Sequence, residues 1–402
     1  MRVLMFGWEF PPFNSGGLGT ACLGLTKALS RSGHDIVFVL PKQLDLKVDY
    51  MDLLFADVPR LRVKAVNSPL AGYLTDHRYR VLMGALPPEL ARLYGRDLYE
   101  ETQRYAEKAS AIASTVEHDV IHAHDWLSFP AGMAAKAASG KPLVAHVHAT
   151  EFDRTADGGV NQLVYECERA GMHAADAVVA VSNYTKERVA RHYEVAPEKI
   201  HVVHNGVDPR EVRKLGASKL NDHYKIVLFL GRITVQKGPD WFLKAARLVL
   251  ERDKDVLFVV AGAGDMERQV ILDAADSGIA DRVVFTGFRR GDDIDRLYQM
   301  ADLYVMPSVS EPFGITALEA VQNGTPVIVS KQSGVREVLP EAVQVDFWDT
   351  RRMADEMLRL LSHREEAKRL GQLQRAALPG ITWDAAALKL ASLYKNVLPV
   401  RA

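Results

Sequence analysis

Short apolar runs rich in β-branched residues alternate with helix-length amphipathic stretches along the chain. Runs that are apolar at every position, rather than at every second one, are typical of parallel strands buried on both faces. The pattern predicts one set of strands at residues 2–6, 35–40, 61–65, 119–122, 143–148, 177–181 and 201–204, and a second set at 226–230, 256–261, 282–286, 303–306 and 326–329. It predicts helices at residues 19–32, 127–139, 162–174, 241–252, 317–323 and 385–397. This alternation favours right-handed βαβ units in two doubly wound α/β domains.

A charged, turn-rich stretch separates the two sets of strands. It runs from Asn205 to Tyr224 and contains Pro209 and Gly216, which is typical of a linker. We therefore expect domains at residues 1–210 and 211–382, with a ligand cleft between them. A chain of 402 residues exceeds what one hydrophobic core usually serves, and 48% hydrophobic residues suffice for two cores.

Composition narrows the class of partner and the compartment. Lys and Arg total 50 against 51 Asp and Glu, so overall charge provides no attraction to nucleic acid or anionic membrane. Cys22 and Cys167 are too few for a disulfide framework and lack metal-ligand spacing. No apolar run approaches the roughly 20 residues of a membrane span, and the first strand begins without a leader pattern. We expect a cytoplasmic protein without signal peptide, membrane span or nucleic-acid partner.

The most informative stretch is residues 308–319, which read S-V-S-E-P-F-G-I-T-A-L-E after a predicted strand. The proline and glycine in this stretch are typical of a loop and place the start of a helix near Gly314. The unpaired N–H groups and the dipole of that helix start form an anion site. Glu311 precedes the helix. Glu319 lies about one turn along the helix, roughly 6 Å from its start. Amides that hold phosphates and carboxylates that accept hydrogen bonds from sugar and ribose hydroxyls suit a nucleotide sugar.

The seven residues between Glu311 and Glu319, with P-F-G-I-T-A-L-E-A and N-G-T-P-V-I, resemble the signature of retaining nucleotide-sugar glycosyltransferases of the GT-B fold, in the family 4-like group. The resemblance implies two Rossmann-like domains facing across a cleft, an acceptor-binding first domain and a donor-binding second domain. It implies that a terminal helix, about 383–402, crosses back onto the first domain, and that transfer needs neither metal nor cofactor. If the resemblance is set aside, Glu311 could equally be an acidic loop residue and Glu319 an exposed helical residue.

Further loops extend the resemblance. G-R-I-T-V-Q-K-G at 231–238 resembles the family's G-R-x-x-x-x-K-G loop, which implies that Arg232 and Lys237 bind the donor diphosphate; solvated surface charge is the alternative. S-G-G-L-G resembles the family's glycine loop, whose second glycine, here Gly17, contacts the donor phosphate; a tight turn is the alternative. The donor-binding residues so implied are Gly17, Gly231, Arg232, Lys237, Gly262, Gly264, Gly287, Phe288, Phe313, Gly314, Ile315, Thr316 and Glu319.

Two other patterns resemble ligand motifs but favour a simpler interpretation. A-G-A-G-D at 261–265 lacks the third glycine of a dinucleotide-binding turn, so NAD binding is not expected. D-D-I-D at 292–295 resembles a metal-binding D-x-D, but it opens a predicted helix, where acidic residues favour the dipole.

Two histidine-rich segments end neighbouring predicted strands, at the edge where doubly wound sheets bind ligands. They read H-A-H-D-W at 122–126 and H-V-H-A-T-E at 146–151. The histidines could ligate a metal, but no Cys joins them and alternate strand residues share a face, so no metal is expected. The first segment resembles starch and glycogen synthases and implies acceptor contacts from His124, Asp125 and Trp126. The second implies a catalytic His148, acting with Glu311, Arg232 and Lys237, while His146 packs in the sheet.

W-E-F-P-P, S-G-G-L-G and H-A-H-D-W together resemble glycogen or starch synthases, which implies glucosyl transfer from ADP-glucose or UDP-glucose to an α-glucan. The loop at Ser15 lacks the Lys of the bacterial glycogen synthase motif K-x-G-G-L, and Phe313 and Glu319 follow the broader family where those synthases have E-P-C-G-L-T-Q-L, so the donor and the acceptor stay open. A small-molecule, polysaccharide or lipid acceptor, an epimerase or phosphorylase, and a silent nucleotide-sugar-binding protein are the alternatives. Both cations and both carboxylates favour an enzyme. The aromatic-rich segment 42–117 either binds acceptor or forms amphipathic helices.

Overall fold

A computed structural model describes residues 1–11, 16–41, 48–55, 98–208 and 223–399. The strands are β1 (Arg2–Phe6), β2 (Asp35–Leu40), β3 (Asp52–Phe55), β4 (Val120–His124), β5 (Leu143–Val147), β6 (Ala177–Ala180), β7 (Ile200–Val202), β8 (Lys225–Leu230), β9 (Val256–Ala261), β10 (Val283–Gly287), β11 (Leu303–Met306), β12 (Val327–Ser330) and β13 (Val343–Val345). The helices are α1 (Gly17–Arg31), α2 (Leu98–Thr115), α3 (Phe129–Ser139), α4 (Glu151–Arg154), α5 (Gln162–Ala174), α6 (Asn183–Tyr193), α7 (Pro239–Leu250), α8 (Glu267–Asp276), α9 (Asp292–Met300), α10 (Ile315–Gln322), α11 (Thr350–Ser362), α12 (Arg364–Ala377) and α13 (Trp383–Val397).

The strands form two sheets, ordered β3-β2-β1-β4-β5-β6-β7 and β10-β9-β8-β11-β12-β13, and every strand pair in them is parallel. The strand order reverses between β1 and β4 in the first sheet and between β8 and β11 in the second. Ligands bind at the carboxyl ends of strands beside such a reversal. The predicted fold class, α/β with two doubly wound Rossmann-like domains, is confirmed.

The predicted strands and helices within the described residues all appear, with ends displaced by no more than two residues. The predicted strand 61–65 and most of the predicted linker, 209–222, lie outside the described residues. The sequence pattern missed β3 and β13, edge strands of four and three residues. Helix α2 agrees with the amphipathic helices expected in segment 42–117, since its Tyr105 is buried and packs edge-on against Phe6.

The last helix, α13, packs against α1 of the first domain. A side chain added at Gly24 of α1 would lie 2.3 Å from the Trp383 ring, so only glycine admits this contact. Arg31 donates to Asp384 at 2.6 Å, and the fully buried Tyr394 reaches His122 on β4. None of the described helices has the length and hydropathy needed to cross a membrane.

Candidate active site

A cleft of about 1400 Å³ lies between the carboxyl ends of the two sheets. Side chains and loops from both domains line it, which places the separately predicted motifs around one space. The residues predicted for the site that line the cleft are Gly17, Asp125, Trp126, His148, Gly231, Arg232, Lys237, Gly262, Gly264, Phe288, Glu311, Phe313, Gly314, Ile315, Thr316 and Glu319. His124 and Gly287 are not among the lining residues.

The start of helix α10 is shaped as an anion site. Gly314 precedes the helix with φ 112°, in the left-handed region, and a side chain there would lie 2.9 Å from the Met306 methyl group. No described side chain caps this helix start. The N–H of Ala317 donates to the Gly314 carbonyl at 3.1 Å, whereas the N–H groups that precede it are of the kind that has no partner within a helix. The geometry suits the phosphate groups of a bound ligand.

The two glutamates flank this helix start with different partners. Glu311 is buried, accepts a hydrogen bond from Ser308 at 3.1 Å and pairs with the Lys237 ammonium at 2.5 Å. Glu319 accepts the hydroxyl of the buried Tyr298 at 3.1 Å. The sequence suggested separate duties for Lys237 and Glu311, whereas the structure joins them in one ion pair.

The 231–238 loop is tied to the segment that carries Glu311. Arg232 donates to Gln236 at 2.9 Å, and the backbone carbonyl of Gln236 accepts the N–H of Val309 at 2.9 Å. Since Gln236 is buried, it links the guanidinium to the loop before α10. Two cations and a helix start therefore converge on the same part of the cleft.

The glycines after β9 allow close backbone approach. Side chains added at Gly262 and Gly264 would lie 1.8 Å and 2.1 Å from the carbonyl oxygens of Gly231 and Ile233. The carbonyl oxygen of Gly287 accepts the N–H of Gly262 at 3.1 Å. This hydrogen bond holds the loop after β9 in place. Phe288, next to it, is 50% exposed at the cleft.

The glycine loop of the first domain lies across the cleft. Gly17 is exposed, begins α1, and has open space where a side chain would stand. Two residues on, the N–H of Gly19 donates to the buried Glu9 carboxylate at 2.9 Å. A ligand can therefore approach the backbone at Gly17, while Glu9 satisfies the N–H of Gly19.

A row of four histidines crosses from β4 to β5. His122 pairs with His146 at 3.1 Å and His124 with His148 at 3.0 Å, and burial depresses the pKa of all four, to about 3 for His124. Ring nitrogens of His122, His124 and His146 lie within 4.8 Å of one another. The rings stack in pairs as neutral imidazoles. His122 bonds to both Tyr394 and His146, whereas the Nε2 atoms of His124 and His146 are buried without a hydrogen-bond partner among the described residues.

His148 ends this row at the cleft, and Asp125 shapes the turn that presents it. Asp125 has φ 58° in the left-handed region, and one of its carboxylate oxygens accepts the N–H of His148 at 2.6 Å and of Ala149 at 3.3 Å. Burial raises the pKa of Asp125 to about 7, although Arg154 and these N–H donors oppose it. His124 is fully buried behind His148, so its place fits a supporting role instead of the expected acceptor contact.

Sequence reasoning missed Arg154 and Glu151, which line the cleft from the short helix α4. Arg154 pairs with Glu151 at 3.1 Å and also with the buried Glu168. Thr150 and Asp153 form a capping box at the helix start. The spacing of Thr150 and Asp153 is typical of a helix start. It predicts a short helix after His148, with Arg154 in its first turn.

Two family models match the chain. "Glycosyltransferase Family 4" matches residues 15–211 and "Glycosyl transferases group 1" matches residues 213–376. An uncharacterized glycosyltransferase of Methanocaldococcus jannaschii is 33% identical over 85% of this chain and 84% of its own length. A D-inositol 3-phosphate glycosyltransferase of Corynebacterium diphtheriae is 30% identical over 98% and 94%. A glycogen synthase of Mycobacterium tuberculosis is 26% identical over 84% and 80%.

Solved structures share the fold. A sucrose-phosphate synthase of Thermosynechococcus elongatus superposes with a TM-score of 0.75, at 20% identity over 98% of both chains. The Anabaena protein HepE, solved with UDP-glucose, superposes with a TM-score of 0.70, at 16% identity over 98% of this chain and 100% of its own. The chain is therefore an enzyme of the glycosyltransferase family, with a family 4 domain followed by a group 1 domain.

Proposed function

We propose that this glycosyltransferase transfers glucose, with retention of anomeric configuration, from ADP-glucose or UDP-glucose to an α-glucan. One observation carries the proposal: a cationic helix-start site and two carboxylates face His148 and aromatic side chains across a single cleft. The choice of a nucleotide sugar as donor rests on charge, because Arg232, Lys237 and the N–H groups of α10 match a diphosphate. The structure solved with UDP-glucose supports a nucleotide sugar of this kind.

The acceptor class is the harder choice, because one relative is named a glycogen synthase and another a D-inositol 3-phosphate glycosyltransferase. Among the described lining residues of the first domain, the charged side chains are Asp125, Glu151 and Arg154. The single guanidinium is already paired with Glu151 and Glu168. An acceptor phosphate would meet two acids and a neutralised cation, so this half of the cleft favours an uncharged acceptor.

Aromatic side chains in the same half favour a sugar ring as that acceptor. Trp8, Tyr99 and Trp126 line the cleft, and Tyr99 is 42% exposed. Aromatic faces with a polar edge offer an apolar platform and a hydrogen-bonding group together. A glucan presents alternating C–H faces and hydroxyls, which match both.

The reaction then needs little from the protein beyond binding and charge. As the bond between the anomeric carbon and the phosphate oxygen breaks, negative charge develops on the diphosphate, and Arg232, Lys237 and the α10 N–H groups stabilise it without a divalent ion. The acceptor hydroxyl oxygen bonds to the anomeric carbon on the same face, and its proton passes to the departing phosphate oxygen. His148 and Glu311 hold the transferring sugar, and Glu319 holds the ribose hydroxyls.

A matrix of donors and acceptors tests the proposal. ADP-glucose, UDP-glucose and other nucleotide sugars are each incubated with maltooligosaccharides, glycogen, monosaccharides, inositol phosphate and a lipid acceptor, with product mass and released nucleoside diphosphate as readouts. We expect maltooligosaccharides to gain hexose units. Transfer only to phosphorylated or lipid acceptors would reject the glucan; sugar epimers formed without acceptor would indicate an epimerase, and dependence on orthophosphate a phosphorylase.

A further inference from the structure

The start of helix α6 in the first domain contacts the loop of the second domain that carries Glu311. The Ser182 hydroxyl donates to the Pro312 carbonyl oxygen at 2.5 Å, and the Thr185 hydroxyl donates to the same oxygen at 3.2 Å. Ser182 also caps α6 by accepting the N–H of Thr185 at 3.0 Å. Two hydroxyls of one domain therefore satisfy a buried carbonyl of the other, next to Glu311 in the chain.

A carboxylate of the second domain completes the contact. Glu337 accepts the backbone N–H groups of Asn183 and Tyr184, each at 2.9 Å, and pairs with His204 at 2.8 Å. These are first-turn N–H groups, which have no partner inside the helix and lie at the positive end of its dipole. Burial opposes ionisation of Glu337, but His204 and these donors hold its pKa down at about 2.

The backbone is closely packed between the contact of Ser182 with Pro312 and the contact of Glu337 with the start of α6. A side chain at Gly334 would lie 2.2 Å from the Pro312 carbonyl and 2.5 Å from the Ser182 side chain. The N–H of Gly334 donates to the Glu311 carbonyl at 2.9 Å. The backbone at Glu311 is thus held by its own domain on one side and by α6 on the other.

We propose that Ser182 and Glu337 form an interdomain clamp that positions Glu311 for transfer only when the first domain is closed onto the second. The clamp rests on the proposed contact of Glu311 with the donor sugar. Nucleotide binding should depend little on it, because Arg232 and Glu319 bond to Gln236 and Tyr298 within the second domain, and Gly17 is the one first-domain residue expected to contact the donor phosphate. Ser182 and Glu337 are positioning residues, since they act through the backbone of the Glu311 loop.

The test compares Ser182→Ala and Glu337→Gln with the wild-type chain. We expect kcat to fall about tenfold in each, the factor that corresponds to one hydrogen bond, while the affinity for UDP or ADP stays within about twofold. Thr185→Ser, which keeps the hydroxyl bonded to the Pro312 carbonyl and adds no atom to the packed contact, should retain kcat. Glu337→Gln places an amide donor against N–H donors and should also increase the radius of gyration in small-angle scattering, a readout that needs no substrate.

Matched controls separate positioning from general damage. Asp349→Ala removes another helix cap, which accepts the N–H of Arg352 at 3.0 Å, and Glu356→Gln neutralises a buried carboxylate paired with Arg352 and Arg359. Both should leave kcat unchanged.

Unchanged kcat in Ser182→Ala and Glu337→Gln, an equal loss in Thr185→Ser, or an unchanged radius of gyration for Glu337→Gln would overturn the clamp. A wild-type chain without transfer to a glucan would instead overturn the proposed function. In that case the kinetic comparison uses whichever donor and acceptor the wild-type chain accepts.

Discussion

The two halves of the cleft hold their functional side chains in different ways. In the second domain charged groups from different loops pair at the wall of the cleft, as Lys237 does with Glu311. In the first domain they are held by buried networks between loops and helices, as Asp125 holds the backbone of His148 and Glu168 of α5 holds Arg154 of α4. We therefore expect changes in the second-domain half, the proposed donor half, to act mainly on the chemical step. Changes in the first-domain half, the proposed acceptor half, should also act on stability and its pH dependence.

The largest effect is expected from Lys237→Ala. The substitution removes a cation from the leaving diphosphate and leaves the Glu311 carboxylate unpaired, so kcat should fall about 100- to 1000-fold. The melting temperature should also fall, because the substitution leaves the largely buried Glu311 carboxylate without its cation, and removing one partner of a buried ion pair costs about 3–5 kcal/mol. Lys244→Ala, a surface lysine on α7 that is 53% exposed, is the control in steady-state assays and should retain full activity. A Lys237→Ala variant with normal kcat would contradict the leaving-group assignment.

His148→Ala tests the acceptor half at the cleft surface. We expect about a 100-fold loss of kcat, because a donor aimed at the transferring sugar is removed, with nucleoside diphosphate affinity retained in calorimetry. His146→Ala is the buried counterpart, and thermal unfolding should show its main loss in stability. A His146 variant that loses turnover while the His148 variant stays active would reverse the choice between the two histidines.

Glu319→Ala tests whether the donor half binds ribose. Loss of a charge-assisted hydrogen bond should weaken nucleoside diphosphate binding by about 1.5–3 kcal/mol. Tyr298→Phe, which removes only the hydroxyl that donates to Glu319 at 3.1 Å, should have a smaller effect in the same titration. Equal affinity of the Glu319 variant and the wild-type chain would exclude the ribose contact.

The smallest effect concerns the pH dependence of stability in the acceptor half. Burial raises the pKa of Asp125 and of Glu168, each to about 7, so the folded chain binds more protons than the unfolded chain between about pH 4 and 7. Stability should therefore decrease as pH rises through that window, by at most about 1.4 kcal/mol per pH unit for each group. Denaturant unfolding of Asp125→Asn, which retains an acceptor for the His148 N–H, should show a shallower decrease. An identical slope in both chains would contradict this.

The same contrast explains what the sequence could predict. The donor motifs are local, so the spacing of Glu311 and Glu319 and of Arg232 and Lys237 identified residues that the fold brings to one cleft. The pairing of Lys237 with Glu311 joins residues 74 positions apart, and no local pattern shows it. Glu337 is more distant still from Asn183, at 154 positions. His124 is buried behind His148, whereas His148 lines the cleft. This difference also depends on the whole sheet and not on a local pattern.

The anomeric configuration of the product tests the central claim most directly. The chain is incubated with the α-linked donor, UDP-glucose or ADP-glucose, and a maltooligosaccharide in EDTA, and the new glycosidic bond is followed by proton NMR. We predict steady formation of an α-linked glucosyl unit at an unchanged rate when divalent ions are chelated. A β-linked product, or transfer that stops without Mg²⁺ or Mn²⁺, would contradict a retaining, metal-independent transfer at Arg232, Lys237 and the start of α10.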